Sequence, residues 1–378
     1  MADDSRLSSV IDDDGQLFGL INVIDAVVLG LVLVLLAAGV LLWAPAGAGE
    51  ETETRYVTIE LDSQPAFIAE QIREGDQMSP GGTDDTLTIT DTYQYTSEGE
   101  INTLVRAEVA GTALDPDGEE TAAIRFDGSP LRFGSQLDLD MSNYAASGTV
   151  ISIDREESSL DTGTESFVLD MEVDQRTAET ITEGDGYRLG ETDLVVVETV
   201  TVYPVPNDAD TRRVFVGISG SVQFEGNTPL LGTQPIQTAS DVTVETQRYD
   251  LTGTVAGVGS PEEPGAPETR AATVELSGIS PDRAAALEAG LTEGTQDLTT
   301  AEIIEVDDRP AVETVEVDGE LETREDPINR DVTLAVELTV RELDDGTVQF
   351  RGERLEIGQE IAFDFGTTTV EGELTELE

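Results

Sequence analysis

The feature that most restricts the fold is a pattern that occurs three times. Phe126-Asp-Gly128-Ser-Pro-Leu-Arg-Phe-Gly134, Phe224-Glu-Gly226-Asn-Thr-Pro-Leu-Leu-Gly232 and Phe350-Arg-Gly352-Glu-Arg-Leu-Glu-Ile-Gly358 all read Phe-x-Gly-x5-Gly. An alternating strand-like run follows, then a second glycine and another strand. In the first copy these are Leu137/Leu139/Met141, Gly148 and Val150-Ile151; in the third, Ile361/Phe363/Phe365, Gly372 and Leu374. The second copy has Val242/Val244 and Gly253, which implies an insertion. A phenylalanine at a fixed place belongs to a core, and a repeated glycine marks a turn or a bulge. Three copies of one supersecondary unit are therefore expected.

A second mark precedes each copy. Ile72-Arg-Glu74-Gly75-Asp76 matches Ile181-Thr-Glu183-Gly184-Asp185 and Leu291-Thr-Glu293-Gly294-Thr295. Strand-like runs lie before it at Val57 to Leu61, Phe167 to Val173 and Thr273 to Leu276. Between run and glycine, Ser63 with Pro65, Asp174, and Ser280 with Pro281 suit a short helix start. The Glu-Gly glycines suit positive φ at the helix end. The expected fold is mostly β (α+β): an N-terminal single transmembrane helix followed by three β-rich repeats, each with one short helix. The expected boundaries are a short acidic tail over 1–22, a transmembrane helix over 23–44, and repeats over 54–154, 165–258 and 270–378. A pseudo-threefold and a linear arrangement of the repeats both remain open.

The 378 residues carry 79 Asp+Glu against 20 basic residues, a net charge of -59, and every basic residue is Arg. Without Lys, His or Cys there is no Ser-His-Asp triad, no cysteine nucleophile, no Schiff-base lysine, no His or Cys metal site and no disulfide. Nucleic acid is not an expected partner, because phosphate binding needs a basic face. The acids are spread along the chain and alternate with apolar residues, as in Leu137-Asp138-Leu139-Asp140-Met141. At about 1 M salt the Debye length is about 3 Å, so repulsion between surface carboxylates largely vanishes. The composition resembles that of a haloarchaeal protein and points to a fold built for brine.

Ala26 to Ala44 is a run of 19 uncharged residues, with Trp43 at its end. A helix over Val23 to Trp43 would span about 31 Å, close to a bilayer core. Ala46-Gly47-Ala48 has a cleavage-site pattern, but the apolar run exceeds a signal-peptide core and the leader is acidic rather than basic. The segment is read as an uncleaved anchor. Asn22 and Asp25 suit a capping box at its start rather than an intramembrane site. Arg6 and Arg55 balance across the span, so the charge rule does not fix orientation. A short tail before a long domain favours an extracytoplasmic C-terminal domain.

Gly15-Gln16-Leu17-Phe18-Gly19-Leu20-Ile21-Asn22-Val23-Ile24-Asp25, running directly into the apolar helix, resembles the N-terminal signature of the family catalogued as domain of unknown function 4330. Leu20 departs from it, since the family usually carries Lys or Arg there. The resemblance implies an architecture and no reaction.

Remaining chemical candidates are weak. Asp161-Thr162-Gly163 has the aspartic-protease string, but such enzymes need a second copy, and none exists. Asp115-Pro116-Asp117-Gly118-Glu119-Glu120 and Asp12-Asp13-Asp14-Gly15 offer oxygens to calcium or magnesium, but Phe126 stands where an EF-hand needs Glu. Asp344-Asp345-Gly346 suits a hairpin turn. No catalytic, cofactor-binding or metal residue is assigned, and no cofactor is expected. The expected role is a non-enzymatic, envelope-associated interaction module. It would contact the lipid bilayer through residues 23–44 and another membrane or envelope protein. Carboxylate-dependent hydrolysis, or service as an accessory subunit of a membrane transport complex, are the alternatives.

Overall fold

The computed structural model describes residues 16–17, 21–22, 52–114, 124–296, 298–317 and 320–378. The expected transmembrane helix over 23–44, Asp25, Asp12–Asp14 and the Asp115–Glu120 string lie outside the described residues. No helix among the described residues is long and apolar enough to cross a membrane. Gln16–Leu17 pairs antiparallel with Ile21–Asn22. Residues 52–378 form a separate compact unit.

That unit is three versions of one folded sheet. The first comprises β1 (Thr52–Gln64), α1 (Ala66–Ala69), β2 (Gln77–Met78), β3 (Thr86–Ser97), β4 (Glu100–Ala113), β5 (Ile124–Phe126), β6 (Ser129–Leu131), β7 (Gln136–Asp140) and β8 (Ala145–Asp154). The second comprises β9 (Thr162–Asp174), α2 (Gln175–Thr180), β10 (Gly186–Leu189), β11 (Thr192–Val205), β12 (Asp208–Glu225), β13 (Thr228–Leu231), β14 (Gln234–Pro235), β15 (Asp241–Glu245) and β16 (Asp250–Val258). The third comprises β17 (Ala266–Ile279), α3 (Pro281–Ala285), β18 (Thr292–Gly294), β19 (Thr299–Val317), β20 (Glu320–Glu342), β21 (Val348–Phe350), β22 (Glu353–Arg354), β23 (Glu360–Asp364) and β24 (Thr369–Leu377). The order is β2-β3-β4-β1-β8-β7, with β5 joining β4 to β6, and the other two repeats copy it.

Alternation places the acids outside. Leu137, Leu139 and Met141 are buried, while Asp138 and Asp140 between them are exposed. Each sheet curls so that the turn after its sixth strand bonds to its eighth. Gly134 N–H donates to Val150 O at 2.7 Å, Ala239 N–H to Val255 O at 2.8 Å and Gly358 N–H to Leu374 O at 2.7 Å. Each repeat encloses its own core, centred on residues such as Ile59 and Leu139, Leu169 and Val244, or Val274 and Phe363.

These bonds correct two sequence alignments. The counterpart of Phe126–Gly134 in the second repeat is Leu231–Ala239, not Phe224–Gly232. Phe224 instead continues β12 and donates its N–H to Asp161 O at 2.7 Å. With this register no insertion is needed: Ala239 to Gly253 keeps the 14-residue step from Gly134 to Gly148. Likewise the third counterpart of Gly75 and Gly184 is Gly290, not Gly294. Gly75, Gly184 and Gly290 have φ of 89°, 84° and 88°, and each donates its N–H to the third strand of its repeat, at Ile89, Val197 and Ile303. Leu287 therefore takes the place of Ile72 and Ile181.

The three later glycines have a common reason. A Cβ at Gly148 would lie 2.6 Å from Glu60 O, at Gly253 2.9 Å from Asp170 O, and at Gly372 2.8 Å from Glu275 O. The eighth strand of each repeat crosses its first too closely for a side chain. The helix starts divide: Asp174 caps α2 through Thr177 N–H at 3.1 Å, whereas Ser280 makes no side-chain cap and Pro281 supplies the helical φ.

Candidate functional site

The repeats meet head to tail. At the first junction the outward face of β3 and β4 offers Tyr93 and Leu104, buried with Leu160 of the linker. The Tyr93 hydroxyl accepts from Gly232 N–H at 2.9 Å and donates toward Leu230 O and Ser221 O at 3.2 and 3.3 Å. Burial is the main reason its pKa is pushed up to about 12. At the second junction the corresponding face of β11 and β12 offers Tyr203 and Phe215, buried with Val168. Here the β21–β22 turn seats on it, with Gly352 against the Phe215 ring. Both junctions therefore place the turn between the fifth and sixth strands of one repeat on the preceding repeat.

An arginine pins each linker. Arg106 is almost fully buried; it donates to Ser158 O at 3.1 Å and Thr58 Oγ1 at 2.9 Å and pairs with Asp154 at 2.8 Å. Arg341 donates to the carbonyls of Glu263, Pro264 and Gly265. Gly217, which stands where Arg106 does, lets the second linker collapse onto the sheet: a Cβ there would lie 1.7 Å from Pro261 O.

In the third repeat the same outward positions carry Asp307, Arg309 and Thr333. Where its predecessors present Tyr and Phe, it presents groups that water solvates. A polar outer face is how a repeat array ends.

The candidate site is a cleft of about 750 Å³ at the first junction. Its walls include Tyr95, Leu104, Ile151 and Leu230, with Glu60, Gln223 and Glu225 at hand. Tyr95 stacks against Tyr93 with centroids 5.6 Å apart. Burial, then the charge of Glu60, raises the Tyr95 pKa. No arginine lines the cleft. It can therefore accept a neutral or cationic group with one flat apolar side, and it disfavours anions.

Outside the cleft, three carboxylates among the described residues are buried: Asp85, which accepts from the Asp127 amide at 2.8 Å, Glu263 and Glu293. Glu293 pairs with Arg351 at 2.9 Å and accepts from Thr300 Oγ1 and the Asp364 amide, at 2.8 and 2.9 Å. Glu263 accepts from the Tyr203 hydroxyl at 2.8 Å and pairs with Arg341 at 3.8 Å, while its Oε1 has no hydrogen-bond partner among the described residues. Burial raises both pKa values, against the pull of Arg351 and Tyr203 respectively. They stand at separate places, Glu293 inside the third repeat and Glu263 in the second linker.

The sequence candidates are scattered. Asp161 contributes its backbone carbonyl to Phe224, and Gly163 lies beneath the Phe224 ring. Asp344 and Asp345 border a second cleft of about 470 Å³, and Asp345 accepts from Thr347 N–H at 2.9 Å in a turn. Among the described residues no group of three or more acidic side chains is placed to hold a metal ion. The cleft itself was not visible in the sequence, because Glu60, Tyr95 and Gln223 belong to two repeats and no motif joins them.

Comparison with known proteins gives one finding. Residues 9–154 match the model of a family described as Domain of unknown function (DUF4330), which covers the first repeat and the segment before it. No curated protein and no solved structure matches the chain.

Proposed function

We propose that the chain is a single-pass membrane protein of a halophile whose three repeats form a non-enzymatic interaction module outside the cytoplasm. The observation that carries this reading is the repeated head-to-tail seating, with both linkers pinned by an arginine and the last face made polar. Such a row offers an extended, fixed side surface, which suits holding a partner. The apolar run at residues 26–44 supplies the anchor, and only residues 45–51 separate it from β1.

The buried carboxylates favour the same reading. A carboxylate hydrolase sets two acids across one cleft, about 5–10 Å apart. Here Glu263 and Glu293 are each engaged in separate structural networks, which points to positioning rather than chemistry.

The experiment is fractionation of native cells in high salt, followed by cross-linked pull-down of the full chain. Recovery in the membrane fraction together with a reproducible partner is the expected result. Recovery in the soluble fraction, or of the chain alone, would overturn the proposal.

A further inference from the structure

The two junctions are built from equivalent positions. Glu60 pairs across the sheet with Leu104, and Asp170 in the same way with Phe215. Tyr95 faces Asn102, and Tyr203 faces Arg213. Glu60, Leu104, Tyr95 and Asn102 thus correspond to Asp170, Phe215, Tyr203 and Arg213.

At the second junction this set is complete. Arg213 holds Asp170 through two bonds of 2.9 and 2.7 Å, and reaches Glu353 of the next repeat at 3.2 Å. Its guanidinium lies 5.5 Å from the Phe215 ring centroid. A guanidinium between two carboxylates on an aromatic face satisfies both its charge and its flat apolar surface.

At the first junction the guanidinium is missing from the set. Asn102 replaces it and accepts from Ser63 Oγ at 3.0 Å, turned to its own repeat. Glu60 on one repeat and Glu225 on the next line the open cleft beside Tyr95, and among the described residues no ion pair or hydrogen bond reaches either carboxylate. The cleft opens beside Glu60 and Leu104, the counterparts of the Asp170 and Phe215 that Arg213 contacts one repeat later.

We infer that the cleft between the first and second repeats binds an arginine side chain of a partner segment, its guanidinium set between Glu60 and Glu225 and lying against Tyr95. Aliphatic contacts with Leu104, Ile151 and Leu230 suit the methylene stem. Contact-range recognition of this kind survives in brine, where about 3 Å of screening length removes long-range steering. The inference rests on the interaction role proposed above and names the chemistry of the partner.

The probe is an acetylated, amidated Leu-Arg-Leu peptide, titrated into the full chain in concentrated potassium chloride. Its twin carries citrulline, which keeps the shape and loses the charge. Wild type is expected to bind the arginine peptide about ten-fold tighter than the citrulline peptide. Glu60→Gln should erase that preference. Asn102→Arg should supply the guanidinium internally and block the peptide. Glu353→Gln, at the other junction, should leave binding unchanged. Should Asn102→Arg fail to fold, Tyr95→Leu provides the second test by weakening the stack at an already open cleft. No saturable binding, equal binding of the two peptides, or binding indifferent to Glu60→Gln would overturn the inference. A pull-down that still captures a partner, unaffected by excess arginine peptide, would sink this inference while leaving the interaction role standing.

Discussion

Gly232 donates its amide hydrogen to the Tyr93 hydroxyl at 2.9 Å, a bond between residues 139 apart in the chain. It joins two separately cored sheets, and the same hydroxyl also meets the carbonyls of Leu230 and Ser221. One tyrosine thus holds three backbone groups of the next repeat where water has been excluded.

Tyr93→Phe removes the partner of a buried amide. Leaving such a group unsatisfied costs about 1–3 kcal/mol. Chemical denaturation in high salt should show the loss. Tyr95→Phe, which deletes a hydroxyl with no bond to the next repeat, should cost clearly less. Equal losses would mean that Tyr93 acts only through its ring.

Gly148→Ala, Gly253→Ala and Gly372→Ala each force a methyl against a backbone oxygen less than 3 Å away. Overpacking of this kind costs about 1–3 kcal/mol. Gly81→Ala is the control, because nothing lies within 4 Å of its Cβ and its φ is not positive. The measurement is the denaturation midpoint of the four variants, with the first three expected to fall together.

Gly217→Val should lift the second linker off the sheet, since a Cβ there runs into Pro261 O. The first repeat's linker, pinned by Arg106, should be unaffected. Limited proteolysis should then cut near residues 259–265 and spare 155–161. Cleavage unchanged from wild type would show that the linker can move aside at no cost.

Glu293 and Glu263 give the stability a pH signature. Burial raises both pKa values above their unfolded range, so the folded state binds their protons more readily than the unfolded chain. Their contribution is fully present below the unfolded pKa of about 4.3 and is lost as pH rises through the folded value. Wild type should therefore gain stability as pH falls from neutral toward that range. Glu293→Gln should flatten that part of the profile, and a variant with an identical slope would remove Glu293 from the account.

Salt should decide whether the sheets form at all. The 79 acids face 20 arginines, and alternation puts many of the carboxylates on the exterior. Dialysis into dilute buffer lengthens the Debye length from about 3 Å to 10 Å or more and restores their repulsion. The β-sheet circular dichroism signal should be lost, and a spectrum unchanged in dilute buffer would contradict the adaptation.

The β character, the three copies and the short helix in each were legible from local signals. Alternation with period two, as in Leu137 to Met141, requires only a sheet with one wet face. Glycine before a strand signals a turn. Two alignments failed for the same reason. Phe224-x-Gly226 and Glu293-Gly294 satisfy the string, but hydrogen bonding, not spelling, assigns the turn positions, and Ala239 adopts a φ of 67° that the sequence reserves for glycine.

The sequence by itself determined what chemistry the chain can own: carboxylates, hydroxyls and arginine, in a thrice-repeated β unit whose alternating acids, such as Asp138 and Asp140, face outward. Only the tertiary structure decided which carboxylates are paired and which are free. Asp170 and Glu60 occupy equivalent positions, yet one is held by Arg213 and the other faces an open cleft. The difference depends on residues far apart in the chain. Packing between repeats brings Glu225 and Glu353 to the preceding sheets, and no local pattern records that approach.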